Sequence, residues 1–300
     1  MKKTWVSVMG QTAFIAIALL TASSCKDDDP NLSPEQAKEQ SKTTAEDNAQ
    51  MIATSQEVLD ITAGAFAEQG VTSGRKLSEG RMEMGGCRPS VSGSFNFDNS
   101  HPDSLIYSGT LTIEYGDGSS CPDSVKRHTG KIVDTFLYTL STKNGIRFTS
   151  SEKISFQGYR KDTIALDGTF IVKSATKQPT TFESQNAKIT YPDGTAASWN
   201  GMLTFTYDKG ESRDWEDNSV NVTGSLSGTS REGASFTADI TKAIQYTNDC
   251  FEGRHKSFPV SGTINVTTNG TLSTIDYGDG SCDKKYTILT DGETTNLNLE

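Results

Sequence analysis

Two stretches of the chain set an aspartate between glycines just ahead of a cysteine: TIEYGDGSSC, from Thr112 to Cys121, and TIDYGDGSC, from Thr274 to Cys282. A carboxylate there could serve calcium, but a calcium loop needs several oxygen ligands at short, regular spacing, and each copy has one aspartate between its glycines. Asp-Gly after a strand-like run favours a turn instead, because both residues tolerate positive φ. The repeat therefore reads as a fold element used twice rather than a metal or catalytic loop.

The cysteines support that reading. Besides Cys25, near the start, the chain holds Cys87, Cys121, Cys250 and Cys282, an even set. VSGSFNF (Val91 to Phe97) matches VSGTINV (Val260 to Val266), so each copy runs cysteine, strand, turn, strand, Gly-Asp-Gly, cysteine. In an antiparallel hairpin the residue before the first strand and the residue after the second lie at the same open end. The pattern predicts Cys87–Cys121 and Cys250–Cys282, each closing a loop of roughly 35 residues and contributing about 3 to 4 kcal/mol in the chain-entropy treatment. Neither pair has close ligand spacing and the histidines are three, His101, His128 and His255, so no metal and no cofactor are expected.

One aromatic set could bind a ligand. Tyr191, Trp199, Tyr207 and Trp215 recur every eight residues. If one strand carries Trp199 and Tyr207 they share a face, and flat rings stack on sugars while Asp193, Asn200 and Asp214 take hydroxyl hydrogen bonds. Large aromatics at even spacing also pack sheet cores. Catalysis has less to stand on: the chain has no G-x-S-x-G, H-E-x-x-H or phosphate loop, and His128, beside Lys126 and Arg127, reads as a surface residue. No enzymatic activity is expected.

The elements that must position these residues are a helix and a long run of strands. Ser33-Pro34-Glu35-Gln36 is a helix start, with Ser33 as cap, Pro34 in the first turn and Gln36 completing a capping box. The helix spans 33–69 with an alanine-rich stripe through Ala45, Ala49, Ile52, Leu59, Ala63 and Phe66. From 87 to 300 the composition turns to Thr, Ser, Gly, Phe and Tyr, and a kernel recurs: SGTLTIEY, TGKIVDTF, DGTFIVKS, NGMLTFTY, SGTINVTT. Period-two alternation after a glycine predicts half-buried strands with bulges near their starts. Turn signals at Lys143–Gly145, Pro192–Gly194, Arg231–Gly233 and Thr268–Gly270 separate them. The expectation is an all-β antiparallel meander of about a dozen strands, barrel-like or two-sheeted, preceded by one α-helix. An internal duplication would divide it into halves 87–190 and 191–300.

Residues 1–24 resemble a bacterial lipoprotein signal peptide: Lys2 and Lys3, an apolar run from Thr12 to Ala22, and Ala-Ser-Ser ahead of Cys25, the thiol to be lipidated. Residues 25–32 form an acidic tether. Lys26, Asp27, Asp28 and Asp29 look like the signal that sends Bacteroidetes lipoproteins to the outer face of the outer membrane. Removing residues 1–24 takes away two lysines and no acid, changing the net charge from −10 to −12. That balance argues against nucleic acid and anionic headgroups as partners, so the lipid must supply membrane attachment.

With these features, TTAEDNAQ (Thr43 to Gln50), TGKI (Thr129 to Ile132), ITYPDGTAASW (Ile189 to Trp199) and the two YGDG copies resemble a family of Bacteroidetes surface-exposed lipoproteins with repeated TI[DE]YGDG…C motifs. The resemblance covers nearly the whole chain and implies a disulfide-bonded, lipid-anchored protein of the outer membrane that faces the cell exterior. It brings no activity and no catalytic residues. The functions expected are a binding module for carbohydrate or an envelope protein, or a structural, shielding lipoprotein.

Overall fold

The computed structural model of the chain describes residues 32–68, 89–119, 128–143, 145–209, 218–247, 250 and 258–298. Cys25 to Asp29, Cys87, Cys121 and Trp215 fall outside them.

Helix α1 (Pro34–Glu68) begins as its capping box dictates: the Ser33 N–H donates to Gln36 Oε1 at 2.9 Å and the Gln36 N–H to Ser33 Oγ at 3.3 Å. Thirteen strands follow: β1 (Ser90–Asp98), β2 (Ser104–Gly116), β3 (His128–Ser141), β4 (Arg147–Lys161), β5 (Ile164–Ala175), β6 (Thr180–Thr190), β7 (Ala196–Asp208), β8 (Ser219–Thr229), β9 (Ser235–Thr247), β10 (Ser261–Thr268), β11 (Thr271–Asp279), β12 (Lys285–Thr290) and β13 (Glu293–Asn298). They make one antiparallel sheet in strict sequence order.

The meander and the single helix match the expectation, but the closure does not. There is one sheet instead of two, and it is not closed into a barrel: among the described residues β1 pairs with β2 alone and β13 with β12 alone. β6 pairs with β7 across the boundary between residues 190 and 191, with a register shift between Ser184 and Ala187. Helix α1, which packs on the sheet's inner face, takes the place of closure.

Alternation sets the faces. Along β3, Ile132, Asp134, Phe136 and Tyr138 are buried while Val133, Thr135, Leu137 and Thr139 turn outward. Glycine-associated bulges bend several strands. Gly130 sits at a register shift with φ +76°, and a Cβ there would lie 2.2 Å from the Gly158 carbonyl oxygen, so only glycine allows β3 and β4 to cross so closely. Such bends increase coiling. The sheet curls enough for α1 to touch β2 near one end of the strand order and β10, β11 and β12 near the other. Ile61 to Phe66 are all buried, and six successive helical residues point in every direction, so the last turns of α1 are surrounded.

The two motif copies are the hairpins β1/β2 and β10/β11. Their registers differ: Val91 faces Ile113 in the first, whereas in the second Ile264, the counterpart of Phe95, faces Ile275, the counterpart of Ile113. The offset is four residues. An even offset keeps each side chain on its face, and Tyr115 and Tyr277 are both buried.

Candidate functional site

Two of the quoted motifs, TTAEDNAQ and ITYPDGTAASW, meet in space. Asp47 of TTAEDNAQ, on α1, is 0% exposed. Tyr191, at the β6–β7 turn, donates its hydroxyl to Asp47 Oδ1 at 2.7 Å. Arg231, at the β8–β9 turn, donates Nε to Oδ1 at 2.5 Å and its backbone N–H to Oδ2 at 2.8 Å. Its guanidinium also lies 4.1 Å from the Tyr191 ring centroid. Burial first, and then the Asp47 charge, push the Tyr191 hydroxyl well above the usual phenol range. With both carboxylate oxygens engaged, the cluster is a lock between helix and sheet rather than a ligand site.

The aromatic platform is not there as four residues. Of its three described members, Trp199 is 1% exposed with its ring centroid 6.3 Å from that of Phe170, Tyr191 belongs to the lock, and Tyr207, 54% exposed, faces solvent. Trp199 and Tyr207 do share a face of β7, but Trp199 lies in the buried first half of the strand and Tyr207 near its exposed end. Even spacing fixed the face and said nothing of depth.

The Gly-Asp-Gly copies are turns. Asp117 Oδ1 accepts the Ser119 N–H at 2.9 Å, and Asp279 Oδ1 accepts the Ser281 N–H at 3.2 Å and hydroxyl at 2.8 Å. Gly116, Gly118, Gly278 and Gly280 all have positive φ. Each aspartate thus caps its own backbone, and these bonds hold both carboxyls below the usual carboxylate range. Among the described residues no three His, Cys, Asp or Glu side chains gather as metal ligands. Cys250 and Cys282 are bridged, their Cα atoms 5.3 Å apart at the open end of β10/β11.

His128 is buried, not a surface residue. Its Nδ1 lies 3.0 Å from the Tyr159 hydroxyl, its ring stacks on Tyr115, and burial holds it below the ordinary imidazole range. Beside Tyr159, the Glu57–Lys161 ion pair (2.6 Å) lines a crevice of about 20 Å³ between α1 and β4 to β6, room for one water.

Asp134 is the sharper anomaly. It is 0% exposed and neither carboxylate oxygen has a hydrogen-bond partner, with Leu111 and Ile154 opposite it on the neighbouring strands. Burial first, then the Glu152 charge, raise its pKa well above 3.8. The sequence carried a signal here, an acid on the inward register of Ile132, Phe136 and Tyr138, which strand reasoning passed over. A carboxyl protonated more readily when folded contributes stability that is fully present below its unfolded pKa and is lost as pH rises through the folded one. Asp134→Leu should therefore raise stability by about 1 to 3 kcal/mol at pH 7, with the gain growing toward alkaline pH and shrinking toward pH 4. Urea unfolding across that range measures it, and a gain independent of pH would contradict the assignment.

The two edges of the sheet differ. On β13 the exposed residues are polar, Glu293, Thr294, Asn296 and Asn298, while Leu297 packs on the core. On β1, Phe95 and Phe97 are 40% and 58% exposed, on the inward face of the strand. Phe95 stacks on Tyr107, 5.7 Å between centroids, and Tyr107 lies against Phe136 at 5.3 Å. Sequence reasoning had not singled out this edge, because burial at an edge depends on what lies beside it. Comparison of the chain with protein-family models, curated proteins and solved structures found no match.

Proposed function

We propose that the chain is a lipid-anchored lipoprotein of the outer membrane, facing the cell exterior and belonging with the Bacteroidetes surface lipoproteins it resembles, that acts as a binding module for another envelope protein. The observation that carries the binding role is the aromatic edge of β1. Soluble sheets blunt their free edges with charge, proline or cover. β13 follows that practice with polar residues; β1 leaves two phenylalanines uncovered. Of the two ligand classes, carbohydrate loses support with the burial of Trp199, and protein gains it. Anchoring rests on Cys25 and its flank, Lys26 to Asp29.

Intact-mass analysis and protease shaving of whole cells test the anchor. The expected results are a chain beginning at a diacylglyceryl-modified Cys25 that external protease removes, and a variant with Asp27 to Asp29 replaced by alanine that stays lipidated and is protected. An unmodified Cys25, or equal cleavage of both forms, would refute it.

A further inference from the structure

The two halves of α1 are held to the sheet by different means. From Met51 onward its buried residues include Met51, Ile52, Val58, Leu59, Ile61 and Phe66, large apolar side chains that belong to the core. Before Met51 they are the alanines Ala45 and Ala49 and the polar Ser41, Thr44, Asp47 and Asn48. Apolar burial therefore anchors the second half and contributes little to the first. In its place the first half has polar ties to hairpin turns at one end of the sheet. Lys38 pairs with Glu293 beside the β12–β13 turn, Gln40 Oε1 accepts from Asn269 Nδ2 of the β10–β11 turn at 2.9 Å, and Asp47 holds the β8–β9 and β6–β7 turns through Arg231 and Tyr191. The turns are met in reverse chain order, so α1 crosses the strands. The interior at this end is polar too. Thr268 and Thr290, the last residues of β10 and β12, are buried together with Ser273, and Ser41 Oγ, Asn48 Oδ1 and Thr268 Oγ1 have no hydrogen-bond partner. Groups left in that state gain hydrogen bonds when water reaches them.

We propose that Pro34 to Gln50 is a latch: this half of α1 undocks from the hairpin turns as a unit and admits water to the polar end of the interior, while Met51 to Phe66 stay in the core. Asp47, with its side chain 0% exposed, is the deep tie that keeps the latch shut. Lys38–Glu293 lies at the surface, where salt screens it. The device depends on neither the lipid anchor nor the binding role.

Amide exchange of the full chain across a urea series tests it. Corrected for intrinsic rates, the amides of Ser41 to Gln50 should exchange together, at least about a hundredfold faster than those of Val58 to Phe66 and with a shallower urea dependence, since a partial opening exposes less surface than unfolding. Phe66→Leu should speed exchange across Val58 to Phe66 about tenfold and leave Ser41 to Gln50 unchanged, because Phe66 stays docked while the latch is open. Thr268→Val should slow exchange in the first half about fivefold or more, since it removes a hydroxyl that opening hydrates. Rates that fall steadily from the helix start inward would mean ordinary end fraying and would overturn the proposal. So would a Phe66→Leu variant that exchanges faster in both halves alike, because α1 would then leave the sheet only when the whole chain unfolds.

Discussion

Asp47→Ala should cost about 3 kcal/mol of folding stability. The carboxylate is fully buried in α1 and accepts three hydrogen bonds from two hairpin tips, so its removal strands the Tyr191 hydroxyl and the Arg231 backbone N–H together. Breaking a buried ion pair from one side usually costs about 3 to 5 kcal/mol. The lower end applies here because the Arg231 side chain is 27% exposed and can turn toward water. Asp47→Asn keeps an acceptor and loses the charge, and should cost about 1 to 2 kcal/mol. In a cycle with Arg231→Met, the double variant Asp47→Ala/Arg231→Met should lose less than the sum of the singles. Urea unfolding reads all four states. A loss below about 1 kcal/mol for Asp47→Ala would mean that α1 is held by its apolar face alone.

Cys282→Ser is the other large effect, about 2 to 5 kcal/mol. Its bridge to Cys250 spans 32 residues and clamps the open end of β10/β11, the hairpin against which α1 packs. Opening it frees the loop from Cys250 to Cys282, which contains β10 and β11, to sample more conformations in the unfolded state and leaves the native strands to hold their register unaided. Thiol labelling after denaturation should find one free cysteine, Cys250. A free thiol at Cys87 or Cys121 would show that the cysteines pair across the two copies of the motif, against the hairpin logic.

Much of this architecture could be read from the chain. Ser33 and Gln36 form the capping box their spacing announced, and glycine kernels such as that at Gly130 do carry bulges. These are local rules, satisfied within a few residues. The weak stripe of α1 becomes intelligible once the sheet curls around it: a surrounded helix needs no polar side, and small residues such as Ala45, Ala49 and Ala65 let the strands approach. Its buried hydroxyls and amide, Thr44, Asn48, Ser55 and Thr62, are accommodated by bonding carbonyls one turn back. The lock at Asp47 was not legible, because it joins residues 144 and 184 positions apart through turns whose approach depends on the curl of the whole sheet. Nor was the edge. VSGSFNF and VSGTINV are nearly one pattern, and among the described strands the first stands at the end of the order and the second between β9 and β11.

That contrast gives the most direct measurement. Amide hydrogen exchange on the isolated full chain compares Gly93 to Phe97 with Gly262 to Val266, matched positions of one motif. If β1 is an open edge awaiting a strand, its outward amides should exchange at least about a hundredfold faster than their counterparts in β10, which are bonded on both sides. Equal protection of the two segments in the chain by itself would contradict the account, since the place beside β1 would already be filled.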